Sequence, residues 1–172
     1  MLVNLTEYFD SQGTAHLSIP YEAEEFNDGL SSRKVVKRED LSLDITNVGE
    51  GKLELSGNIT ITLADSCARC LTDVEVPVPV SFVYTVVKPD GFHEQSEDEL
   101  FFMDGYNLDA EALIDNELLM SLPMKVLCRE DCKGLCPVCG SNLNHGACGC
   151  DTFVPDPRMA AIMDIFNANK EV

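Results

Sequence analysis

Positive charge is what this sequence has least of: 12 Lys and Arg stand against 30 Asp and Glu, a formal net charge of −18 over 172 residues. Such a surface repels phosphate, which argues against a generic nucleic-acid coat and favours basic partners. Nowhere does an apolar run approach the roughly 20 residues that a membrane-spanning helix requires. The opening MLVNLTEYFD has no basic n-region and soon turns acidic, so no export signal is expected and the expected location is cytoplasmic. A Gly-rich phosphate loop, a GxSxG elbow and an HExxH pair are all missing, which removes several common catalytic signatures. Tryptophan is absent too, yet hydrophobic residues make up 45% of the chain, enough to bury a core.

Cysteine, by contrast, is plentiful and clustered. Six of the eight lie between Cys128 and Cys150, in CREDCKGLCPVCGSNLNHGACGC. Cys136-Pro137-Val138-Cys139-Gly140 has the form of a zinc knuckle: two thiolates two residues apart can face one tetrahedral ion, and Gly suits the turn that follows. Cys148 and Cys150 complete C-x2-C-x8-C-x-C, one closed four-thiolate site. Two further pairs, Cys67/Cys70 and Cys128/Cys132, supply a second such site, so two structural zinc ions are expected. A partly crossed pairing, with Cys132 serving the knuckle, and a ligand role for His145 are the alternatives. Without an export signal, close pairs read as reduced metal ligands rather than disulfides.

The remaining sequence reads as mostly β. Met1–Thr6 and Ala15–Ile19 suit short strands, and Glu22–Phe26 one helical turn. Leu41, Leu43 and Ile45 alternate with polar residues, Asn47–Gly51 reads as a hairpin turn, and Leu53 to Leu63 continues the pattern with a bulge expected at Gly57. A second long strand runs from about Val74 to Val87; Pro77 and Pro79 cannot donate ladder hydrogen bonds, so it belongs at an edge. Residues 88–104 form an aperiodic acidic stretch in which Phe101 and Phe102 suit core and surface equally. Asp109 is placed to cap a helix over 110–121, with Ile114, Leu118 and Leu122 on one face and Pro123 ending it. Asp156 and Pro157 open an amphipathic helix carrying Met159, Ile162, Met163 and Phe166.

Closed four-thiolate sites leave no coordination vacancy, so an enzyme is the minor reading, and a thioredoxin-type role for Cys67/Cys70 suits a helix start rather than a strand–turn–strand. The one dense basic run, Arg33-Lys34-Val35-Val36-Lys37-Arg38, alternates across both strand faces, and Arg69, Lys125, Arg129 and Lys133 read as offsetting thiolate charge. Naked RNA is therefore expected to bind weakly.

SCARC between two strands, followed by LP-x4-C-x3-C-x2-LCPVCG-x-NLN-x3-C-x-C and a terminal DPR segment, resembles the bacterial YceD family of large-ribosomal-RNA-accumulation proteins, over roughly residues 35 to 168. The matching positions are Cys67, Arg69, Cys70, Cys128, Cys132, Cys136, Cys139, Asn142, Leu143, Asn144, Cys148, Cys150, Asp156 and Arg158. The resemblance implies a non-enzymatic ribosome-biogenesis factor. Family members are often encoded beside a small basic large-subunit ribosomal protein, which suggests that protein or a large-subunit assembly intermediate as partner. RNA contact is then weak or indirect, with no membrane or small-molecule substrate. Some lineages lose much of the C-terminal cysteine cluster, which makes the metal scaffold rather than chemistry. A nuclease or hydrolase acting on precursor ribosomal RNA and a redox- or zinc-responsive interaction module are the alternatives. The expected fold is α+β: a β-rich antiparallel sheet or partial barrel with two helices and a Cys-rich zinc-binding C-terminal lobe. One domain is expected over 1–172, with the β body at about 1–90, the acidic loop at about 90–104, and helix, zinc lobe and terminal helix at about 105–168.

Overall fold

The computed structural model describes residues 1–29, 31–89 and 100–150. In chain order the elements are β1 (Leu2–Asn4), α1 (Thr6–Asp10), β2 (Thr14–Ile19), β3 (Glu25–Asn27), β4 (Ser32–Arg38) and β5 (Leu41–Gly49). They continue with β6 (Lys52–Ser66), β7 (Asp73–Val87), β8 (Met103–Asp104), β9 (Asn107–Asp109) and α2 (Ala110–Ser121). The larger sheet is antiparallel throughout and runs β2-β5-β6-β4-β3, with β7 on the other flank of β6. A smaller sheet, β1-β9-β8, closes beside it.

The long pair β6–β7 is the frame. Its register runs unbroken from Lys52↔Val87 to Ser66↔Asp73. On its other flank β6 is shared, with β5 opposite its first half and β4 opposite Ile61–Leu63. Among the described residues β7 pairs with β6 alone, as Pro77 and Pro79 favour. Leu53, Leu55, Ile59, Ile61 and Leu63 all point into the core, at most 3% exposed. Removing each such side chain from water contributes about 1.5–3 kcal/mol, so strict alternation fixes which face of β6 is inward.

Gly57 interrupts that row without the expected bulge: it pairs in register with Leu43 and Phe82. The reason is a close approach, since a Cβ at Gly57 would lie 2.4 Å from Cζ of Phe82. Glycine makes room for a ring that covers the strand.

Helix α2 begins and ends where the sequence places it. Asp109 Oδ1 accepts from the backbone N–H groups of Glu111 (3.1 Å) and Ala112 (3.3 Å), and the Ala112 bond leads in holding its carboxyl below the usual carboxylate range. Leu113, Ile114 and Leu118 are buried and seat the helix against β7. Two tyrosines pin it: Tyr84 donates to Glu117 (2.5 Å) and Tyr21 to Asp115 (2.7 Å).

Three local expectations are corrected. Glu22–Phe26 is no helical turn: Phe26 sits buried in β3, and Arg38 donates to the carbonyls of Glu22 and Ala23, holding that backbone extended. The first strand stops at Asn4, and Leu5, capping α1, and Phe9, one turn further on, are both buried. The acidic stretch ends in structure, because Met103–Asp104 pairs with Asn107–Leu108. Phe102 is buried and Phe101 is 66% exposed. His93, Glu94 and Glu97–Glu99, together with the expected helix after Asp156, lie outside the described residues.

Candidate metal centres

The β6–β7 hairpin continues past the body to a tip at Cys67–Thr72, while Pro123 turns the chain out of α2 and over that tip. Backbone bonds lace the two together. Ala68 N–H donates to Val126 O (2.8 Å) and Leu135 N–H to Arg69 O (3.1 Å). The Arg69 guanidinium donates to Cys132 O (2.8 Å). Gly134, with φ +77°, passes so close that a Cβ there would lie 3.1 Å from Arg69 O.

All eight cysteine sulfurs are brought together, four and four. Cys67, Cys70, Cys128 and Cys132 form one quartet; Cys136, Cys139, Cys148 and Cys150 form the other, each with its sulfurs within 4.8 Å of one another. In the first, Cys67 and Cys132 sulfurs are 3.8 Å apart and Cys70 and Cys128 sulfurs 3.6 Å. A tetrahedron of four sulfurs about 2.3 Å from a central ion has edges of about 3.8 Å. The quartets can therefore each hold a metal ion, and their size suits zinc. His145 joins neither; its N–H turns back to Asn142 O (3.2 Å).

The two CxxC turns share one construction. Leu71 N–H donates to Cys67 O and Gly140 N–H to Cys136 O, both 2.9 Å. Cys67 N–H then closes on Thr72 O and Cys136 N–H on Ser141 O, both 2.8 Å. The residue after the second cysteine has positive φ in each, +58° at Leu71 and +73° at Gly140. A hydroxyl follows: Thr72 Oγ1 lies 3.2 Å from Cys70 Sγ, and Ser141 Oγ lies 3.2 Å from Cys139 Sγ. The sequence signal was C-x2-C-x-[S/T], present twice and not singled out from the sequence alone.

These donors shape the thiols unequally. Burial pushes the Cys67 thiol up, but N–H groups of Cys128, Arg69 and Cys70 outweigh it and bring it down to about 6. Ser141, through hydroxyl and N–H, brings Cys139 down to about 6. Desolvation and the neighbouring Cys70, Cys132 and Cys67 push Cys128 up to about 12; Cys139 and Cys148 do the same to Cys150. In the first quartet Thr72 also lowers Cys70, so within each quartet at least one thiol ionises easily and another resists. A full set of four thiolates needs a cation among them, and that is the donor chemistry of a closed metal site.

The two nearby guanidiniums bond to oxygen acceptors. Arg69 serves carbonyls, and Arg129 reaches Asp131 (3.4 Å) and Asn144 Oδ1 (2.8 Å). The basic run on β4 is similarly engaged. Arg33 holds Asp28 and Asp65, Lys37 holds Glu75, and Arg38 serves two carbonyls, leaving Lys34 exposed.

The family model of the large ribosomal RNA subunit accumulation protein YceD matches residues 55–166. The chain belongs to this family. The YceD match opens in β6 and takes in all eight cysteines. Similar chains include uncharacterised proteins of Mycobacterium bovis and Mycobacterium tuberculosis, each 35% identical over 134 residues, 77% of this chain and 64% of theirs. An uncharacterised protein of Mycobacterium leprae is 31% identical over 105 residues, 60% of this chain and 48% of that one. The chain thus spans 64% of the length of the mycobacterial relatives it matches over most of its own length. No solved structure matches it. Among the described residues, no helix of this YceD member is long and apolar enough to cross a membrane.

Proposed function

We propose that this YceD member is a non-enzymatic, cytoplasmic assembly factor for the large ribosomal subunit, held in shape by two structural zinc ions. One observation carries the non-enzymatic part: among the described residues each quartet offers four sulfurs and no carboxylate or imidazole, so an ion bound by those four would have no open position for water or substrate. Cys67, Cys70, Cys128 and Cys132 would hold one ion, and Cys136, Cys139, Cys148 and Cys150 the other. Zinc would neutralise the thiolates and fasten the C-terminal lobe to the hairpin tip. Residues 1–172 would form a single domain.

The proposed partner is a basic large-subunit ribosomal protein or assembly intermediate, with RNA contact weak or indirect. Support comes from the charge of −18 and from the engagement of Arg33, Lys37 and Arg38 within the fold. Counterion release needs several free cations on one surface, and that run supplies few. Glu97, Asp98 and Glu99 precede the exposed Phe101, so charge steering and an apolar anchor stand close in sequence.

The test is capture of partners at native salt, with protein and RNA both identified, beside elemental analysis of carefully reduced protein. Two zinc ions per chain and enrichment of a basic large-subunit protein support the proposal. Turnover of labelled precursor RNA by the pure chain would replace it with a nuclease. Reversing Glu97, Asp98 and Glu99 to Lys should slow association and flatten its salt dependence; unaltered capture by that variant moves the interface elsewhere.

A further inference from the structure

The two quartets differ in what must happen before they exist. The second is local, its ligands all within residues 136–150. The first joins cysteines 58 and 65 positions apart, so the hairpin tip must meet the segment beyond α2 before its sulfurs converge. The loop joining the two halves of the second quartet, Gly140–Ala147, lies against the first. Its Leu143 N–H donates to Gly134 O (2.9 Å), and Leu135 and Asn142 form an antiparallel bridge.

At the centre of that contact is one amide. Asn144 Nδ2 donates to Cys132 Sγ (3.3 Å). Its Oδ1 accepts from Lys133 N–H (2.9 Å) and from Arg129 Nη2 (2.8 Å). The backbone N–H of Asn144 is held by Asn142 Oδ1 (3.0 Å). The side chain thus fixes the Cys128–Cys132 turn through Arg129, between its cysteines, and Lys133, directly after the second, and it touches a sulfur of the first quartet. It is presented by a loop whose ends are ligands of the second. A donor to sulfur also withdraws charge from a thiolate that shares an ion with three others.

We propose that Asn144 is a positioning residue that couples the two centres: the local quartet, once loaded, presents Asn144 and so raises the metal affinity of the long-range quartet. The inference rests on the reading of both quartets as metal sites and adds an order of loading and a direction of dependence. By linkage the coupling is reciprocal, so loading the first quartet also tightens the second by the same factor.

The test is a double-mutant cycle on the full chain loaded with zinc and titrated with a chromophoric chelator. Amide exchange over residues 67–72 and 136–150 assigns each released ion. Cys148→Ser and Asn144→Ala should each weaken the first quartet by about 10–100-fold, as loss of a partner outside the ligand set commonly does. In the Asn144→Ala background, Cys148→Ser should have little further effect on the first quartet. Asn144→Asp covers the case in which the alanine variant fails to fold. It keeps the acceptor for Lys133 and Arg129 but cannot donate to Cys132, and the same weakening is expected. Additive effects, or an unchanged first-quartet affinity in both Asn144 variants, overturn the coupling and leave the metal sites standing. A parent protein that binds no zinc overturns both.

Discussion

The β body and the cysteine lobe are stabilised by different physics. The body buries Leu41, Leu43, Ile45, Leu53, Leu55, Ile61, Leu63, Leu113 and Leu118 at 1% exposure or less. It is a conventional core in which apolar area removed from water does the holding. Between residues 122 and 150 only Cys132, Gly134 and Cys136 are buried, and the regular pairing amounts to one isolated bridge. A segment of that kind cannot offset the conformational entropy of ordering it by apolar burial. In the reading proposed above, metal ions held by the two sulfur quartets replace the core. The contrast teaches that the lobe, unlike the body, has too little buried apolar area to be held by a core alone.

The largest effect that tests this contrast is metal removal. Structural zinc contributes about 10–16 kcal/mol of apparent binding free energy in small domains. A strong chelator should therefore abolish amide protection in the lobe, and Cys139→Ser at the knuckle should abolish it over residues 136–150, while residues 41–63 stay protected. Simultaneous loss of protection in both regions would show that the body, too, depends on the metal. The converse comes next. Leu113→Ala, at a position with no exposure, should cost about 2–5 kcal/mol in denaturant unfolding of the body. The zinc content of the folded protein should not change. Loss of metal from that variant under native conditions would join the two regions energetically.

A smaller effect separates them by pH. The bond to Glu117 leads in pushing Tyr84 up to about 12, above an unfolded value of about 10. Because the folded value is the higher, the stabilisation is fully present below about pH 10 and is lost as pH rises toward 12. Tyr84→Phe should reduce the alkaline slope of body stability and leave the slope near neutrality alone. An identical alkaline slope in parent and variant would remove Tyr84 from the account. The smallest effect lies at the hairpin tip. Leu71 holds φ +58° and is 66% exposed, where its counterpart in the second turn is Gly140. Leu71→Gly relieves a left-handed backbone at little loss of packing, and should raise lobe stability by roughly 0.5–1 kcal/mol. A decrease would mean that the leucine side chain makes a contact that outweighs the strain.

Much of the frame was legible because its signals are local. Leu41, Leu43 and Ile45 alternate over a span short enough for the pattern to dictate one buried face. Pro77 and Pro79 put β7 at an edge because a missing N–H cannot be supplied from elsewhere. Asp109 and Pro123 mark the ends of α2 by chemistry that acts within one turn. The cysteine spacings name ligand pairs for the same reason.

What the sequence determined, then, is whatever a residue decides with its own neighbours: strand faces, helix ends, and close pairs of thiols. Only the tertiary structure decided which of Phe101 and Phe102 is buried, since adjacent identical side chains carry no difference a local rule can use. Gly57 needed Phe82 opposite it before its missing Cβ had a reason. Glu22–Phe26 became extended because the β4 register, seven and nine residues away, and Arg38, fifteen and sixteen away, reach it. Asn144 has no meaning as one polar residue in a loop. It acquires one only when the fold sets its amide against Cys132, because a hydrogen bond depends on distance in space and not on distance along the chain.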